Sequence, residues 1–221
     1  MNQAWFRFYA ELNDFLAAER RGVVNEFAFF AGTAVKDAIE SFGVPHTEVD
    51  LVLANGEPVD FAYRLNPGDR ISVYPVFEAF DITGVSRVRP APLRVTRFLA
   101  DVHLGRLAAY LRLAGFDTRY DNTAGDGELV AVAVAERRIL LTRDRELLKR
   151  AAVTHGYYVR ATAPRQQLAE VVERFDLAGS LRPFERCLEC NTPLDPATPE
   201  QAAARVPVGV AERHREFRLC P

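Results

Sequence analysis

Cysteine is scarce in this chain, and its scarcity excludes one way of stabilising a small fold. The 221 residues include three cysteines, all at or after position 187. An odd number of cysteines gathered at one end does not make a disulfide framework.

Long apolar runs are also lacking. No stretch approaches the roughly 20 residues of a transmembrane helix, and the first residues do not follow the basic-then-apolar pattern of a signal peptide. A composition of 48% hydrophobic and 26% charged residues is typical of globular proteins. We expect a cytoplasmic protein that does not contact a membrane.

The chain has no strong excess of charge of either sign. Its formal net charge is −2, with −4 in residues 1–96 and +3 in residues 97–186. The chain therefore lacks the strong excess of basic residues that would by itself indicate a polyanionic partner. The modest positive charge of the middle segment is compatible with RNA but is weak evidence for it.

Residues 1–80 have the pattern of a β-grasp domain of the α+β class. Two strand-like segments precede an amphipathic helix at 33–43, and Asn55-Gly56 supplies a tight hairpin turn before the last strand at 70–77. These segments resemble the ubiquitin-like sulfur-carrier proteins of thiamine and molybdopterin synthesis. The carriers end in Gly-Gly, whereas here the chain continues. Carrier chemistry is therefore disfavoured, and the alternatives are a module that docks a protein partner or one that only adds stability.

Residues 81–94 contain prolines and arginines without periodicity and are predicted to be a linker. Residues 95–183 then alternate between apolar strands and amphipathic helices, which predicts a mainly parallel α/β sheet flanked by helices. The predicted strands are 95–100, 117–120, 138–142 and 156–160, and the predicted helices are 103–114, 127–136, 145–151 and 164–175.

Three aspartates, Asp101, Asp126 and Asp144, each stand where a strand or loop turns into a helix. The carboxyl ends of parallel strands open on one edge of the sheet, so these side chains should meet in one crevice. Each could instead be a helix N-cap, which contributes about 1 kcal/mol. Three on one edge favour a site for Mg²⁺ or Mn²⁺, which bind hard oxygen ligands and promote phosphodiester cleavage.

Further charged side chains accompany the aspartates in sequence. Asp121 or Glu128 could supply a fourth metal ligand, although each is more typical of an exposed surface. A second set of residues could contact phosphates or remain surface groups: Arg106, Arg143, Arg145, Lys149 and His103.

The run from FLADVHLGRLAAYLRLAG to ILLTRDRELLKR resembles the PIN-like ribonucleases named after the C-terminal domain of the mutator protein Mut-seven. The resemblance extends to YYVRA and FERCLECNTPL, and members of this family often carry a β-grasp module in front. It implies metal-dependent RNA cleavage with Asp101, Asp126 and Asp144 at the acidic positions.

Residues 184–221 are predicted to be a partial zinc-ribbon tail. Cys187 and Cys190 have the spacing of a zinc knuckle, and Cys220-Pro221 resembles the start of a second one. A fourth cysteine of the family pattern is missing, so the site is either truncated or degenerate. His214 is a weak substitute, and we expect structural zinc to bind poorly.

The sequence therefore predicts a two-domain ribonuclease with a zinc-ribbon-like tail. A non-catalytic RNA-binding or adaptor protein that retains the fold is the alternative. A sulfur-carrier-like protein is the third and weakest possibility.

Overall fold

A computed structural model describes residues 1–75, 84–88, 95–203, 205–206 and 209–221. The linker predicted at 81–94 lies mostly outside these residues. Of the part that is described, Ser86 donates a hydrogen bond to the carbonyl of Asp50 at 2.5 Å. Val88 packs in the hydrophobic core of the N-terminal domain. No helix within the described ranges combines the length and apolar character that a membrane span requires.

The N-terminal sheet has five strands in the order β2-β1-β5-β3-β4, with β1 and β5 parallel at its centre. Helix α1 (Val35–Ser41) packs Val35, Ala38 and Ile39 against one face. The Asn55-Gly56 turn has φ of 52° and 93°, as a tight hairpin requires. This arrangement confirms the β-grasp prediction. The strands are β1 (Asn2–Phe8), β2 (Asn25–Phe29), β3 (Val49–Ala54), β4 (Glu57–Pro58) and β5 (Arg70–Pro75).

The second sheet has four strands in the order β7-β6-β8-β9, all parallel. Every strand and helix predicted for this part of the chain is present, and the parallel α/β class is confirmed. The strands are β6 (Phe98–Ala100), β7 (Thr118–Tyr120), β8 (Ile139–Thr142) and β9 (Gly156–Tyr158). The helices are α2 (Gly105–Leu113), α3 (Asp126–Ala135), α4 (Arg145–Lys149) and α5 (Pro164–Arg174).

The two faces of this sheet carry separate cores, because successive residues of a strand point to opposite faces. Phe98 and Ala100 of β6 pack with α2 and α5, whereas Leu99 packs with α3 and α4. The chain leaves β6 towards one edge of the sheet and leaves β8 towards the other. A topological switch point therefore lies between the carboxyl ends of β6 and β8, where α/β folds form binding crevices.

The C-terminal tail forms a small unit of its own. Strands β10 (Asp195–Ala197) and β11 (Phe217–Leu219) pair antiparallel, and the short helices α6 (Pro199–Ala203) and α7 (Val210–Arg213) lie between them in sequence. The tail is fastened to the second sheet by Arg112, a buried side chain of α2. Its guanidinium donates hydrogen bonds to the carbonyls of Leu188, Glu189 and Thr118 at 2.8 to 2.9 Å.

Candidate active site

A cleft with a volume of about 550 Å³ opens at the switch point of the second sheet. The loops that follow β6 and β8 and the first turns of α3 and α4 supply its walls. The cleft thus joins segments that are more than 40 residues apart in sequence. Its lining residues are Asp101, Val102, His103, Asp126, Arg143, Asp144, Arg145 and Glu146.

Asp101 is the buried carboxylate of this cleft, with 5% of its surface exposed. It follows β6 and caps a short 3-10 helix at residues 102–104, where one oxygen accepts from the backbone N–H of Val102 at 2.6 Å. The other oxygen accepts from the hydroxyl of Thr142 at 2.5 Å. These bonds from two sides fix the orientation of the carboxylate.

Asp144 caps α4, as a strand-to-helix aspartate is expected to do. Its Oδ1 accepts from the backbone N–H groups of Glu146 at 2.8 Å and Leu147 at 3.4 Å. Its own backbone N–H donates to the hydroxyl of Thr142 at 2.9 Å. Thr142, which is fully buried, therefore connects the two aspartates through one hydroxyl group. Our reading of the sequence overlooked Thr142.

Replacing Thr142 with valine is expected to reduce RNA cleavage about 10- to 100-fold, the usual cost of losing an outer partner of a metal ligand. It should also lower the free energy of unfolding by about 1 to 3 kcal/mol, because buried polar groups lose their partner. Cleavage rates and urea unfolding measure the two effects. Thr142→Ser keeps the hydroxyl and serves as the control. Equal rates for the valine and serine variants would show that the hydroxyl does not position the aspartates.

Asp126 is not the N-cap of a helix, so capping cannot be the structural role of its carboxylate. Gly125 is the N-cap of α3, and Asp126 is the first residue of the helix. The carboxylate forms an ion pair with Arg150 at 3.1 Å, and both side chains are about half exposed. Such exposed pairs contribute little to stability. Asp126 therefore remains available to a ligand in the cleft.

The carboxylates face a common space but are not tightly clustered. Within the described ranges, only the three cysteines bring three or more potential ligand atoms within 4.8 Å of one another. Asp101, Asp126 and Asp144 are therefore spaced too widely for all three to touch one ion directly in this conformation. Mg²⁺ usually takes one or two carboxylates and keeps several waters, and the spacing is compatible with that mode.

Several of the other sequence-predicted residues lie elsewhere. The described residues that line the cleft do not include Glu128, Arg106 or Lys149. Glu128 follows Asp126 by two positions, and residues so spaced on a helix face different directions. Lys149 pairs with Glu146 at 2.7 Å. Glu146, which sequence reasoning missed, is the fourth acid that lines the cleft, and it stands in the first turn after Asp144.

Arg143 lines the cleft, but its guanidinium also has a structural role. One nitrogen, Nη1, donates to the carbonyls of Val159, Arg160 and Ala161 at 2.7 to 2.9 Å. These contacts hold the segment after β9 against the end of β8. The side chain of Arg143, which is predicted to bind substrate, is therefore already engaged by backbone carbonyls. Arg145 and His103 also line the cleft.

The cysteines of the tail form a second cluster. The sulfur atoms of Cys187, Cys190 and Cys220 lie within 4.8 Å of one another, and those of Cys190 and Cys220 are 3.4 Å apart. A hydrogen bond with the Thr192 hydroxyl is the main reason why the pKa of Cys190 falls to about 6. Three such sulfurs could bind Zn²⁺. His214 is not part of the cluster.

The cluster is tied to the sheet by a second set of hydrogen bonds. Asn191, one residue after Cys190, accepts from the backbone N–H of Thr118 at 3.0 Å and donates to Asp117 at 2.8 Å. Burial alone would raise the pKa of Asp117, but bonds from Arg138 and Asn191 lower it below its usual value of 3.8. Asp117 is thus ionised at neutral pH and anchors the cysteine loop to the start of β7.

Comparison with known proteins agrees with this architecture. Residues 96–221 match the family model described as the Mut7-C RNAse domain, and residues 1–81 match the one described as Mut7-C ubiquitin. No curated protein matches the chain.

Among solved structures, a putative molybdopterin converting factor, subunit 1, from Pyrococcus furiosus is similar to part of the chain. It has 20% identity and a TM-score of 0.27, and the alignment covers 34% of this chain and 98% of that one. The two family matches confirm the resemblance found in the sequence, and the chain belongs to the Mut7-C RNAse domain family, with a Mut7-C ubiquitin-like domain at its N-terminus.

Proposed function

We propose that the protein is a divalent-metal-dependent ribonuclease that hydrolyses RNA phosphodiester bonds in the cleft between β6 and β8. Membership of the Mut7-C RNAse family indicates ribonuclease activity. The observation that carries the metal-dependent mechanism is the meeting of Asp101, Asp126, Asp144 and Glu146 in one crevice. These residues come from three different loop-to-helix turns, so no single helix cap explains them together.

The donor set fits Mg²⁺ or Mn²⁺. Carboxylate oxygens are the ligands that these hard cations prefer, and the cleft is open enough to keep the waters they retain. Asp101, oriented by the Thr142 hydroxyl, and Asp144, oriented by the backbone N–H groups of α4, would be the first ligands, and Asp126 and Glu146 would complete the anionic wall. A bound divalent ion would make an attacking water more acidic and stabilise the charge that develops on the phosphate and leaving oxygens.

The protein's own residues have three tasks in this mechanism. Asp101 is held rigidly and out of bulk water, so its carboxylate needs little reorganisation. Arg145 and His103 lie at the cleft and can contact the phosphates of an RNA strand. Asp126 can exchange its exposed bond to Arg150 for a ligand at low cost.

Metal removal tests the proposal. The purified full chain should cleave a labelled single-stranded RNA in the presence of Mn²⁺, stop when EDTA is added, and resume when excess Mn²⁺ is returned. Each step is expected because hydrolysis in the cleft would need a bound divalent ion. Cleavage that persists in EDTA would contradict a metal mechanism. Tight RNA binding without cleavage under any divalent metal would support the alternative, a non-catalytic RNA-binding or adaptor protein.

Two further expectations remain proposals. Structural Zn²⁺ would be held by Cys187, Cys190 and Cys220, with a fourth ligand from outside this cluster. A protein partner of the β-grasp domain would be sought at the open face of its sheet. Trp5, Arg7, Val24 and Arg70 line a cavity of about 330 Å³ there.

A further inference from the structure

The β-grasp domain is packed against the nuclease domain through buried polar contacts. A 3-10 helix at His46–Glu48 lies against β9 and α4. Glu48 is 2% exposed, and its oxygens accept from the backbone N–H of Tyr158 at 2.6 Å and from Arg160 at 2.9 Å. His46 contacts the carbonyl of Val153 at 2.9 Å. Buried polar groups that depend on the other domain for partners fix the two domains in one arrangement.

A second contact between the domains ends at the cleft itself. Arg145, the residue after Asp144, lines the cleft, and its Nη1 donates to the backbone carbonyl of Phe15 at 3.1 Å. Its guanidinium carbon lies 5.0 Å from the centre of the Phe15 ring and 5.5 Å from that of Tyr158. The two rings are themselves in edge contact at 5.3 Å. The β-grasp domain thus supplies both a hydrogen-bond acceptor and an aromatic face for a cleft arginine.

The other arginines near the cleft are differently engaged. Arg143 gives one nitrogen to three backbone carbonyls, and Arg150 pairs with Asp126. A guanidinium has five N–H donors. Arg145 uses one to reach the Phe15 carbonyl at 3.1 Å and one to reach the Asp14 carbonyl at 3.5 Å, which leaves three that can contact a phosphate. Stacking on an aromatic ring restricts the long side chain and lowers the entropy lost on binding.

We propose that the β-grasp domain supports a lining residue of the nuclease cleft from outside, and that Phe15 positions Arg145 to bind an RNA phosphate beside the aspartates. The inference rests on the proposed function and deepens it by assigning the substrate contact. Phe15 is a positioning residue, and Arg145 is the residue that touches RNA. The linker between the domains then joins parts of a single site. Residues 95–221 alone would lack this support for Arg145.

A double-mutant cycle on the full chain tests the coupling. Arg145→Ala is expected to raise KM for single-stranded RNA about 10-fold, the effect of one lost charge-assisted hydrogen bond, with kcat changed far less. Phe15→Leu keeps an apolar side chain of similar size and should raise KM about threefold through the lost ring contact. In the Arg145→Ala background, Phe15→Leu should add nothing further, because both changes act through one guanidinium.

The controls separate this inference from the proposed function. Arg64→Ala removes an exposed arginine of the β-grasp domain whose bond to the Gly32 carbonyl lies at the opposite end of β1 from Phe15, and KM should not change. RNA affinity measured in EDTA gives a readout that does not require cleavage. Arg145→Lys, which keeps the charge but cannot stack as a plane, should restore only part of that affinity.

Each outcome is decisive. Wild-type protein that binds RNA but never cleaves it would overturn the nuclease proposal, while the affinities of the variants would still test the positioning of Arg145. Additive effects of the two substitutions, or unchanged affinity in Arg145→Ala, would overturn the inference alone. Unfolding curves for each variant identify any loss that comes from misfolding.

Discussion

Asparagine in place of Asp101 or Asp144 is expected to lower the rate of metal-dependent RNA cleavage by at least about 100-fold, since even outer partners of metal ligands are worth 10- to 100-fold. The amide keeps the size of the side chain but removes the negative charge that a divalent cation needs. Asparagine is also a good N-cap, so α4 should remain folded in Asp144→Asn. The measurement is kcat at saturating Mn²⁺, together with the Mn²⁺ concentration for half-maximal activity.

Glu128→Gln is the matched control for this loss of an acid. Glu128 stands in the first turn of α3, close in sequence to Asp126, but it does not line the cleft formed by the described residues. The activity of the Glu128→Gln variant should stay within about twofold of wild type, as is usual for surface substitutions away from a functional site. Full activity in Asp144→Asn, with the fold intact, would reduce Asp144 to a helix cap and remove the basis of the proposed mechanism.

Alanine at Gly115 is expected to lower the free energy of unfolding by about 2 to 5 kcal/mol, from left-handed backbone strain and steric overlap together. Gly115 follows α2 with φ of 100°, a conformation that side-chain-bearing residues rarely adopt. A Cβ there would overlap the backbone carbonyl of Arg182, whose segment pairs with the end of α2 through a bond from the Arg182 N–H to the Ala114 carbonyl. Urea or thermal unfolding measures the loss.

Gly127→Ala tests whether the cost at Gly115 is specific. Gly127 lies in the first turn of α3, and nothing stands within 4 Å of a Cβ built there. Alanine is the better helix former, so stability should be unchanged or rise by up to about 1 kcal/mol. A similar loss at both positions would mean that contact with Arg182 is not the cause at Gly115.

Much of the fold could be predicted because its signals are local. Phe98, Leu99 and Ala100 are all apolar, as is typical of a strand buried on both faces, and the two cores of the second sheet use them in alternation. The convergence of the three aspartates followed from parallel topology alone. The wide spacing of their carboxylates could not be predicted from the topology, because it depends on side-chain direction and on the exact start of α3.

The roles that the sequence could not assign depend on partners that are distant in the chain. Thr142 stands beside Asp144, but its bond to Asp101 crosses from β8 to the end of β6, 41 residues away. The sequence names Arg143 and Arg145 alike as possible phosphate contacts. In the structure Arg145 contacts Phe15, 130 residues earlier, whereas Arg143 contacts the segment after β9. Such contacts are set by how the domains pack, and hydrophobic periodicity contains no information about them.

The burial of Glu48 has a consequence for the order in which the chain assembles. Synthesis from the N-terminus completes the strands of the first sheet at residue 75, whereas the partners of Glu48 at Tyr158 and Arg160 follow about eighty residues later. Until then Glu48 must stay hydrated, because burial raises its pKa and opposes its ionised form. Docking of the domains is therefore expected to be a late, separate step in folding. Protection of the Tyr158 amide from hydrogen exchange, appearing after protection within β1 and β5, would be its signature.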